Sequence, residues 1–526
     1  MPGTKTAHER TGRLAFLVAA GILLSRLVGL VRQRVFSHYF GLGDAADVFS
    51  AAFRIPNFLQ NMFGEGVLSA SFIPVYANLL ARKDEEESGR VAGAVLAILA
   101  LVTSLLVLAG VLATPLLIDA IAPGFHGAKR ELAIRVVRIL FPGAGLLVLS
   151  AWCLGVLNSH RKFLLSYAAP VIWNFAMIAT LVIYGGRRGQ FPLAETLAWG
   201  SVAGSALQFG VQVPTVLRLV RRLRLSLAAA NENVRTVLRN FVPVFISRGV
   251  VQISAYVDAL LASLLPTGAV AGLMNAQLLY TLPVSLFGMS VSAAELPAMS
   301  SALGDESEVA GHLRTRLDAG LGRIAFFVVP ASVAFLALGD VIAAALLQTG
   351  RFTRADSVYV WGILAGSTVG LLASTLGRLY ASTYYALRDT RTPLKYAGLR
   401  VAATTALGYA MALPLPRALG IDPRWGVAGL TASAGLAGWL EFALLRRSLN
   451  RRIGRTGIAP SFLAKLWIAS IAAAAAGWAA KLAIGERNPV LAAALILAPY
   501  GLVYLGLTSA FGISETRSIF RRLSRR

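Results

Sequence analysis

Long apolar runs, separated by short polar or charged connections, extend along almost the whole chain. Each run has about 20 residues or more, the length at which a helix crosses a hydrocarbon core of about 30 Å. Apolar and polar residues do not alternate at every second position, as they would in the strands of a membrane β-barrel. The pattern therefore predicts an all-α polytopic membrane protein.

Charged residues and clusters of proline or glycine divide this pattern into about fourteen transmembrane helices. The first two helices are the least regular, because Arg26, Arg32 and Arg54 interrupt their apolar runs. We expect the helices near residues 14–37, 46–80, 91–118, 131–157, 164–184, 193–220, 237–264, 269–301, 323–348, 356–386, 396–414, 425–445, 461–483 and 489–511.

The amino-acid composition supports a membrane protein and argues against several kinds of functional site. The chain has 526 residues, of which 56% are hydrophobic and 14% are charged, whereas a soluble protein carries about 25% charged residues. A single cysteine, Cys153, leaves no intrachain disulfide, and the five histidines lack the spacing of a metal site. Without a P-loop or nucleophile elbow, we expect no ATP-driven transport, no enzymatic step, no cofactor and no metal.

The formal net charge of +25 would suggest nucleic-acid binding in a soluble protein. Here, Lys and Arg concentrate in every second loop, about 30 against about 10 on the opposite side, which is the positive-inside pattern. We therefore expect no nucleic-acid partner and both termini in the cytoplasm. The acidic run at residues 84–87 is expected to be a solvated loop.

The two halves of the chain share short motifs at a nearly constant offset of about 222 to 225 residues, which indicates an internal repeat. Six helices in each copy predict two lobes of the same orientation around a central cavity, as in transporters that work by alternating access. The predicted divisions are residues 1–222, 223–456 and 457–526, the last holding helices 13 and 14 and a basic cytoplasmic tail. The matched motifs are Ser25-Arg26 with Ser247-Arg248, Phe72-Ile73-Pro74 with Glu295-Leu296-Pro297, and Gly145-Leu146-Leu147 with Gly370-Leu371-Leu372.

Ionisable residues within the predicted helices are costly unless they face water or a partner, so they are candidates for a functional site. Arginine dominates the set, and its planar guanidinium binds phosphate through two parallel hydrogen bonds. The set predicts a cavity for an anionic phosphate or pyrophosphate compound, although snorkelling at the membrane surface or pairing with an acid also explains single arginines. The residues are Arg26, Arg32, Asp47, Arg54, Glu65, Arg248, Asp258, Glu295 and Arg378.

Glycine and proline indicate where these helices bend. A bend near Gly29 would bring Arg26 and Arg32 to one cavity, because six residues on an ideal helix place them on different faces. Kinks are also expected at Pro56, Pro74, Pro283 and Pro297. The eight tryptophans are expected to be interfacial anchors or packing residues.

The segment Ser25-Arg26-Leu27-Val28-Gly29-Leu30-Val31-Arg32 resembles the opening of the MurJ/MviN family of lipid II flippases. The resemblance covers the chain to about residue 400 and continues through Phe40-Gly41-Leu42-Gly43, Phe53-Arg54-Ile55-Pro56-Asn57, Phe63-Gly64-Glu65-Gly66, Gly350-Arg351-Phe352-Thr353 and Ala386-Leu387-Arg388-Asp389-Thr390-Arg391-Thr392-Pro393.

The resemblance implies the fourteen-helix fold of the MOP exporter superfamily, with helices 13 and 14 forming a lipid-facing groove. It implies export of lipid II, the undecaprenyl-pyrophosphate disaccharide pentapeptide, across the cytoplasmic (inner) membrane for peptidoglycan synthesis. We also expect membrane lipids and cell-wall synthesis proteins as partners. It also implies a substrate cavity, with Asp258 in helix 7 as an ion-coupling candidate. The expected cavity residues are Arg26, Arg32, Asp47, Arg54, Asn57, Glu65, Arg248 and Arg378.

Three positions depart from the family pattern. Gln33 stands where the family has an acid, and Gln60 and Leu278 stand where it has cations. We expect Arg248 to replace part of the missing charge. The departures keep two alternatives open: a transporter of the same fold for another polyprenyl-pyrophosphate oligosaccharide or small molecule, and a non-transporting membrane scaffold. Membrane potential, sodium and protons all remain candidates for the energy source.

Overall fold

A computed structural model describes residues 3–227, 231–301, 305–485 and 488–517. These ranges are α-helical and hold no β-strand, so the predicted all-α class is confirmed. The helices are α1 (Gly3–Phe40), α2 (Asp44–Phe63), α3 (Glu65–Ser71), α4 (Ile73–Ala81), α5 (Glu85–Leu112), α6 (Thr114–Ile121), α7 (Gly127–Ser159), α8 (Phe163–Tyr184), α9 (Gln190–Leu219), α10 (Glu232–Ser263), α11 (Ala269–Pro283), α12 (Ser290–Ser300), α13 (Glu306–Leu347), α14 (Arg354–Thr368), α15 (Leu371–Ala386), α16 (Arg391–Ala412), α17 (Pro414–Ala418), α18 (Gly426–Ile453), α19 (Pro460–Ile484) and α20 (Pro489–Ala510).

Each of the predicted segments coincides with one helix or with consecutive helices. Segment 46–80 is divided into α2, α3 and α4, and segment 269–301 into α11, a π-helical turn and α12. Within the described ranges, eight helices are long and apolar enough to cross a membrane, and the pair α14–α15, bent by 44°, raises this number to nine. The molecule is therefore a multi-pass membrane protein, while fourteen crossings stay a prediction.

Proline and glycine explain most of these divisions. Pro74 lies in the first turn of α4, and Pro283 is the last residue of α11, directly before the π-helical turn. Gly64 separates α2 from α3 at a point where a Cβ atom would lie 2.0 Å from the Gln60 carbonyl oxygen. Helix α1, in contrast, runs without interruption through Gly29.

The chain forms two compact units. The first comprises Met1–Leu264 with Thr349–Arg351, and the second comprises Leu265–Gln348 with Phe352–Arg526. Helix α10, which the predicted repeat assigns to the second lobe, belongs to the first unit. The lobes at residues 1–222 and 223–456 and the appendage at 457–526 remain predictions.

In the first unit, α7 packs along α9 and α2, and α8 packs along α9 and α1. The side chains of Phe72, Tyr76, Trp152 and Leu157 form part of one buried cluster. In the second unit, α18 packs along α16, α14 and α15, and α19 and α20 pack along each other and on α13.

The acidic run at residues 84–87 begins α5 and does not form the expected loop, whereas its residues Asp84 and Glu85 are exposed to solvent as expected. Asp84 caps α5 by accepting a hydrogen bond from the Glu87 backbone N–H at 2.9 Å, and acidic residues in a first turn interact favourably with the helix dipole. The Glu87 carboxylate accepts hydrogen bonds from the side-chain amides of Asn231 (2.6 Å) and Asn233 (2.9 Å). The run therefore attaches the start of α10 to α5.

Helix α13 is interrupted at Leu338, whose backbone angles (φ −129°, ψ 16°) are not helical. Two indole N–H groups donate hydrogen bonds to backbone carbonyls that precede this interruption. Trp361 donates to the Phe335 carbonyl at 3.0 Å, and Trp478 of α19 donates to the Ala337 carbonyl at 3.0 Å. Because hydrocarbon offers no water to satisfy a carbonyl, such neighbours make a broken helix tolerable in a membrane.

Candidate functional site

Arg32 of α1 lies against two aromatic side chains of the first unit. The centre of its guanidinium is 4.9 Å from the ring centroid of Trp173 on α8 and 6.0 Å from that of Phe53 on α2. The two rings stack on each other, with centroids 5.6 Å apart and planes inclined by 25°. Such cation–π contacts contribute about 2 kcal/mol or more where water is excluded.

The indole of Trp173 is itself held in place by α9. Its N–H donates a hydrogen bond to the Ser201 hydroxyl at 3.2 Å. One turn further along α9, a Cβ atom on Gly204 would lie 3.0 Å from the indole and 3.1 Å from the Trp173 carbonyl oxygen. The absence of a side chain at Gly204 therefore lets α8 approach α9 closely enough to fix the ring.

Arg32 has no acidic partner among the side chains that the structure describes. Its aromatic contacts supply no carboxylate to compensate the charge, and a partly buried cation in this state attracts an anion. A guanidinium binds phosphate through two N–H groups, so Arg32 is a candidate contact for a phosphate.

Asp47 of α2 was expected to share a cavity with arginines, but its described partner is a lysine. Its carboxylate is almost fully buried and accepts a hydrogen bond from the Lys129 ammonium at 2.9 Å. The same ammonium lies 2.9 Å from the carboxylate of Asp44 and 4.7 Å from the centroid of the Phe125 ring. Lys129, at the start of α7, thus joins two acids of the first turn of α2.

Arg54 lies near α10. Its carbonyl oxygen accepts a hydrogen bond from the Tyr256 hydroxyl at 2.9 Å, and the negative charge of Asp258 attracts its guanidinium. Asn57 follows one turn later on α2 and is half-buried. The structure therefore brings together Arg54 and Asp258, which the sequence analysis assigned to separate roles in substrate binding and ion coupling.

The remaining predicted site residues do not join these groups in the described structure. Arg26 is exposed on α1. Arg378 is exposed on α15 of the second unit. Glu65 begins α3 and Arg248 lies within α10, but the side chains of both lie outside the described residues.

Glu295, which the sequence analysis counted among the charges at membrane depth, is paired in the second unit. Its carboxylate is buried and lies 2.9 Å from Arg323 and 3.5 Å from Arg316, both on α13. Two arginines thus compensate one buried acid, which explains why this charge is tolerated.

Trp173 and Lys129 are not among the predicted site residues. Tryptophans are predicted to be anchors or packing residues, and nothing in the sequence distinguishes Lys129 from other loop cations. Trp173 is 141 positions from Arg32 in sequence, and no local pattern connects residues at such a separation. Across the described ranges, no group of three or more His, Cys, Asp or Glu side chains could hold a metal ion.

Comparison with known proteins assigns the family. The model of the lipid II flippase MurJ family matches residues 36–498. A relative from Rhizobium meliloti, named "Probable lipid II flippase MurJ", is 30% identical over 94% of this chain and 90% of its own length. The lipid II flippase MurJ of Burkholderia cenocepacia is 31% identical over 83% of this chain and 84% of its own length.

Solved structures agree in fold. A lipid II flippase MurJ in an inward closed conformation superposes with a TM-score of 0.78 at 24% identity, covering 94% of this chain and 98% of that protein. An inward-facing multidrug resistance transporter of the MATE family and MOP superfamily superposes with a TM-score of 0.66 at 17% identity, covering 83% of this chain. The fold is therefore that of the MOP superfamily, and the chain belongs to the MurJ family of lipid II flippases.

Proposed function

We propose that this protein moves lipid II from the cytoplasmic to the outer leaflet of the inner membrane by alternating access. The match to the family model and the names of the relatives support the cargo. The likeness to MOP transporters supports a mechanism in which two lobes expose a central cavity to each side in turn. Both termini lie in the cytoplasm in this proposal, in keeping with the distribution of Lys and Arg.

Arg32 is the proposed contact for the pyrophosphate of the cargo. The observation that supports this role is that no described acidic side chain compensates its positive charge. Its guanidinium rests on Trp173 and Phe53 and has no described acidic partner, whereas Arg54 is close to Asp258. A pyrophosphate that approaches the guanidinium edge gains charge-assisted hydrogen bonds without first displacing a carboxylate.

The other residues have supporting roles in this proposal. Arg26 stays a predicted cavity cation, and the uninterrupted α1 places it on a different face from Arg32. Asn57 offers neutral hydrogen bonds. Asp47 and Lys129 fix the start of α2, which carries Phe53. Asp258 compensates Arg54, and a role for Asp258 in ion coupling remains a prediction. Glu65, Arg248 and Arg378 are proposed to complete the cavity.

Complementation tests the proposal. A bacterium depleted of its own lipid II flippase should grow when it expresses the wild-type chain and lyse when it expresses Arg32→Ala with Arg26→Ala. Arg218→Ala, which removes an exposed cation of the first unit that has no described partner, should complement. Membrane quantities of all the variants must match.

A transport assay with purified protein in vesicles tests which cargo the protein moves. Wild-type protein should make labelled lipid II accessible from the opposite leaflet, and Arg32→Ala should reduce the initial rate at least tenfold. Failure of well-inserted wild-type protein with lipid II, together with transport of another polyprenyl-pyrophosphate oligosaccharide, would assign that other cargo. In that case, Gln60 and Leu278 would be the first residues to replace by Arg.

A further inference from the structure

One face of α18 changes from aromatic to cationic toward the C-terminal end of the helix. Trp439, Phe442, Arg446, Asn450 and Arg451 recur at helical spacing along this face and line a groove of about 480 Å³ in the second unit. Ala443 and Arg447 complete the lining.

The aromatic end of this groove is held in a fixed arrangement. The indole N–H of Trp439 donates a hydrogen bond to the Val369 carbonyl at 2.8 Å. Phe442 contacts Trp439 edge-on at a centroid distance of 5.6 Å and Tyr380 at 5.5 Å. The groove therefore has a preformed apolar wall.

The polar end is organised around Thr456. The Arg446 guanidinium donates a hydrogen bond to the Thr456 carbonyl at 3.2 Å. The Asn450 carboxamide oxygen accepts hydrogen bonds from the backbone N–H and the hydroxyl of Thr456 at 3.1 and 2.5 Å. These contacts direct the oxygen of the carboxamide toward Thr456, and its NH₂ group remains a donor for another partner.

Two arginines of the groove lack compensation. Arg447 and Arg451 are exposed, and no described acidic side chain lies within 4 Å of either one. Two other cations near this groove are paired: Arg452 lies 2.7 Å from Asp389, and Arg400 lies 3.1 Å from Glu441. Arg447 and Arg451 are therefore the groove cations available to an anionic ligand.

We propose that this groove binds the headgroup of an anionic phospholipid. The phosphate would contact Arg447, Arg451 and the Asn450 NH₂ group, because arginine and amide donors satisfy phosphate oxygens. The acyl chains would follow Trp439 and the exposed side chains of Leu436 and Leu440. The sequence of polar and apolar groups along α18 matches the sequence from headgroup to chain in a phospholipid, whereas a free phosphate would leave the aromatic wall unused.

This site is independent of the proposed cargo contact. Its lining residues belong to the second unit, whereas Arg32 and Trp173 belong to the first. Loss of lipid binding at α18 and loss of cargo binding at Arg32 can therefore be measured separately in the same preparation.

Lipid binding to the full-length protein tests the proposal. The protein is held in a neutral maltoside detergent at low ionic strength and titrated with dioctanoyl phosphatidylglycerol, with retained lipid counted by native mass spectrometry. Each cation next to an anionic lipid contributes about fivefold to affinity, so Arg447→Gln with Arg451→Gln should weaken binding by about 25-fold. Dioctanoyl phosphatidylcholine should bind the wild-type protein much more weakly than phosphatidylglycerol.

Two further variants distinguish lipid binding in the groove from general electrostatic attraction of the lipid to the protein. Arg391→Gln with Lys395→Gln removes two exposed positive charges from the start of α16, close to the end of α18, and should change affinity by less than about twofold. Ala443→Trp fills the groove and keeps every charge, and it should weaken binding at least tenfold. The melting temperature without lipid checks that each variant is folded.

Three outcomes would overturn the proposal. The first is an equal loss of affinity in the two charge-removal variants, which would assign binding to net charge alone. The second is binding of phosphatidylglycerol by folded Ala443→Trp with wild-type affinity. The third is binding of glycerol 1-phosphate as tightly as phosphatidylglycerol, which would indicate a site for a free phosphate compound.

Discussion

The hydroxyl of Tyr504 on α20 donates a hydrogen bond of 2.5 Å to the carbonyl oxygen of Phe326 on α13. Phe326 lies four residues before Pro330, which has no N–H group to serve that carbonyl. Tyr500, one turn before Tyr504, donates in the same way to the carbonyl of Pro330 at 2.6 Å. Helix α20 is therefore attached to α13 at the position where proline interrupts the helical hydrogen bonds.

Tyr504→Phe should destabilise the protein by about 1 to 3 kcal/mol, because it leaves the buried Phe326 carbonyl without a donor. The ring and its packing against Phe326, at a centroid distance of 5.6 Å, are retained in this variant. The free energy of unfolding in detergent, measured by denaturant titration, reports the effect. Tyr409→Phe, which removes the hydroxyl of an exposed tyrosine on α16, should change it by less than about 0.5 kcal/mol.

A double variant separates the hydrogen bond from general effects of the substitution. Pro330→Ala restores an N–H group that can serve the Phe326 carbonyl within α13. Tyr504→Phe should therefore cost much less in the Pro330→Ala background than in the wild type. Equal costs in both backgrounds would show that the hydroxyl does not stabilise the protein through this carbonyl.

Lys129→Met should destabilise the first unit by about 3 kcal/mol, because the buried Asp47 would lose the ammonium that lies 2.9 Å from it. The side chain of Asp47 is 2% exposed and that of Asp44 is 45% exposed. Asp44 can therefore rely on water after the substitution, but Asp47 cannot. Thermal unfolding in detergent measures the loss.

Asp47→Asn in combination with Lys129→Met provides the control for this pair. The double variant removes both charges of this contact and should be more stable than Lys129→Met alone. If the two substitutions destabilise additively, the 2.9 Å contact between Lys129 and Asp47 contributes nothing specific to the fold.

The helices and their breaks could be predicted from sequence, and the partners of the charged residues could not. Hydropathy is a local property, so each predicted segment coincides with described helices, and Pro74 and Pro283 mark two of the divisions. The contact between Arg32 and Trp173 joins α1 to α8. It depends on how two helices pack, and either residue alone is compatible with an interfacial position.

The same reason explains why the prediction of a loop at the acidic run was wrong, although Asp84 and Glu85 are exposed as predicted. The position of Glu87 depends on the amides of Asn231 and Asn233, which are more than 140 positions away. The short motifs around Arg26, Arg32 and Arg54 were sufficient to suggest the family, because they extend in register over two helices. They do not specify which of these arginines has an acidic neighbour.

Protonation of His160 should destabilise the protein at mildly acidic pH. His160 follows α7, and its ring nitrogen lies 3.1 Å from the Tyr76 hydroxyl. Burial, together with the positive charge of Lys162, lowers the pKa of His160 below its ordinary value of 6.5. The folded protein therefore favours the neutral ring. The resulting stability is fully present above pH 6.5 and is lost as the pH falls from there through the lowered pKa.

The difference between wild-type protein and His160→Gln measures this contribution. Glutamine has no titratable group, so the melting temperature of the wild type should fall further than that of the variant between pH 7.5 and pH 5. Comparison of the two proteins cancels the titration of the other histidines. Parallel melting curves over this pH range would show that His160 binds protons equally well in the folded and unfolded chain.

Trp173→Leu should reduce the initial rate of lipid II flipping about 30-fold, because Arg32 would lose a cation–π contact of about 2 kcal/mol and with it a fixed orientation. Trp173→Phe keeps an aromatic face, and its loss should be smaller although it removes the hydrogen bond to Ser201. Trp199→Leu, which removes an exposed tryptophan of α9, is the matched control. If Trp173 positions Arg32, Trp173→Leu should cause no further loss in an Arg32→Ala background. Additive losses would instead show that Trp173 stabilises the fold independently of Arg32.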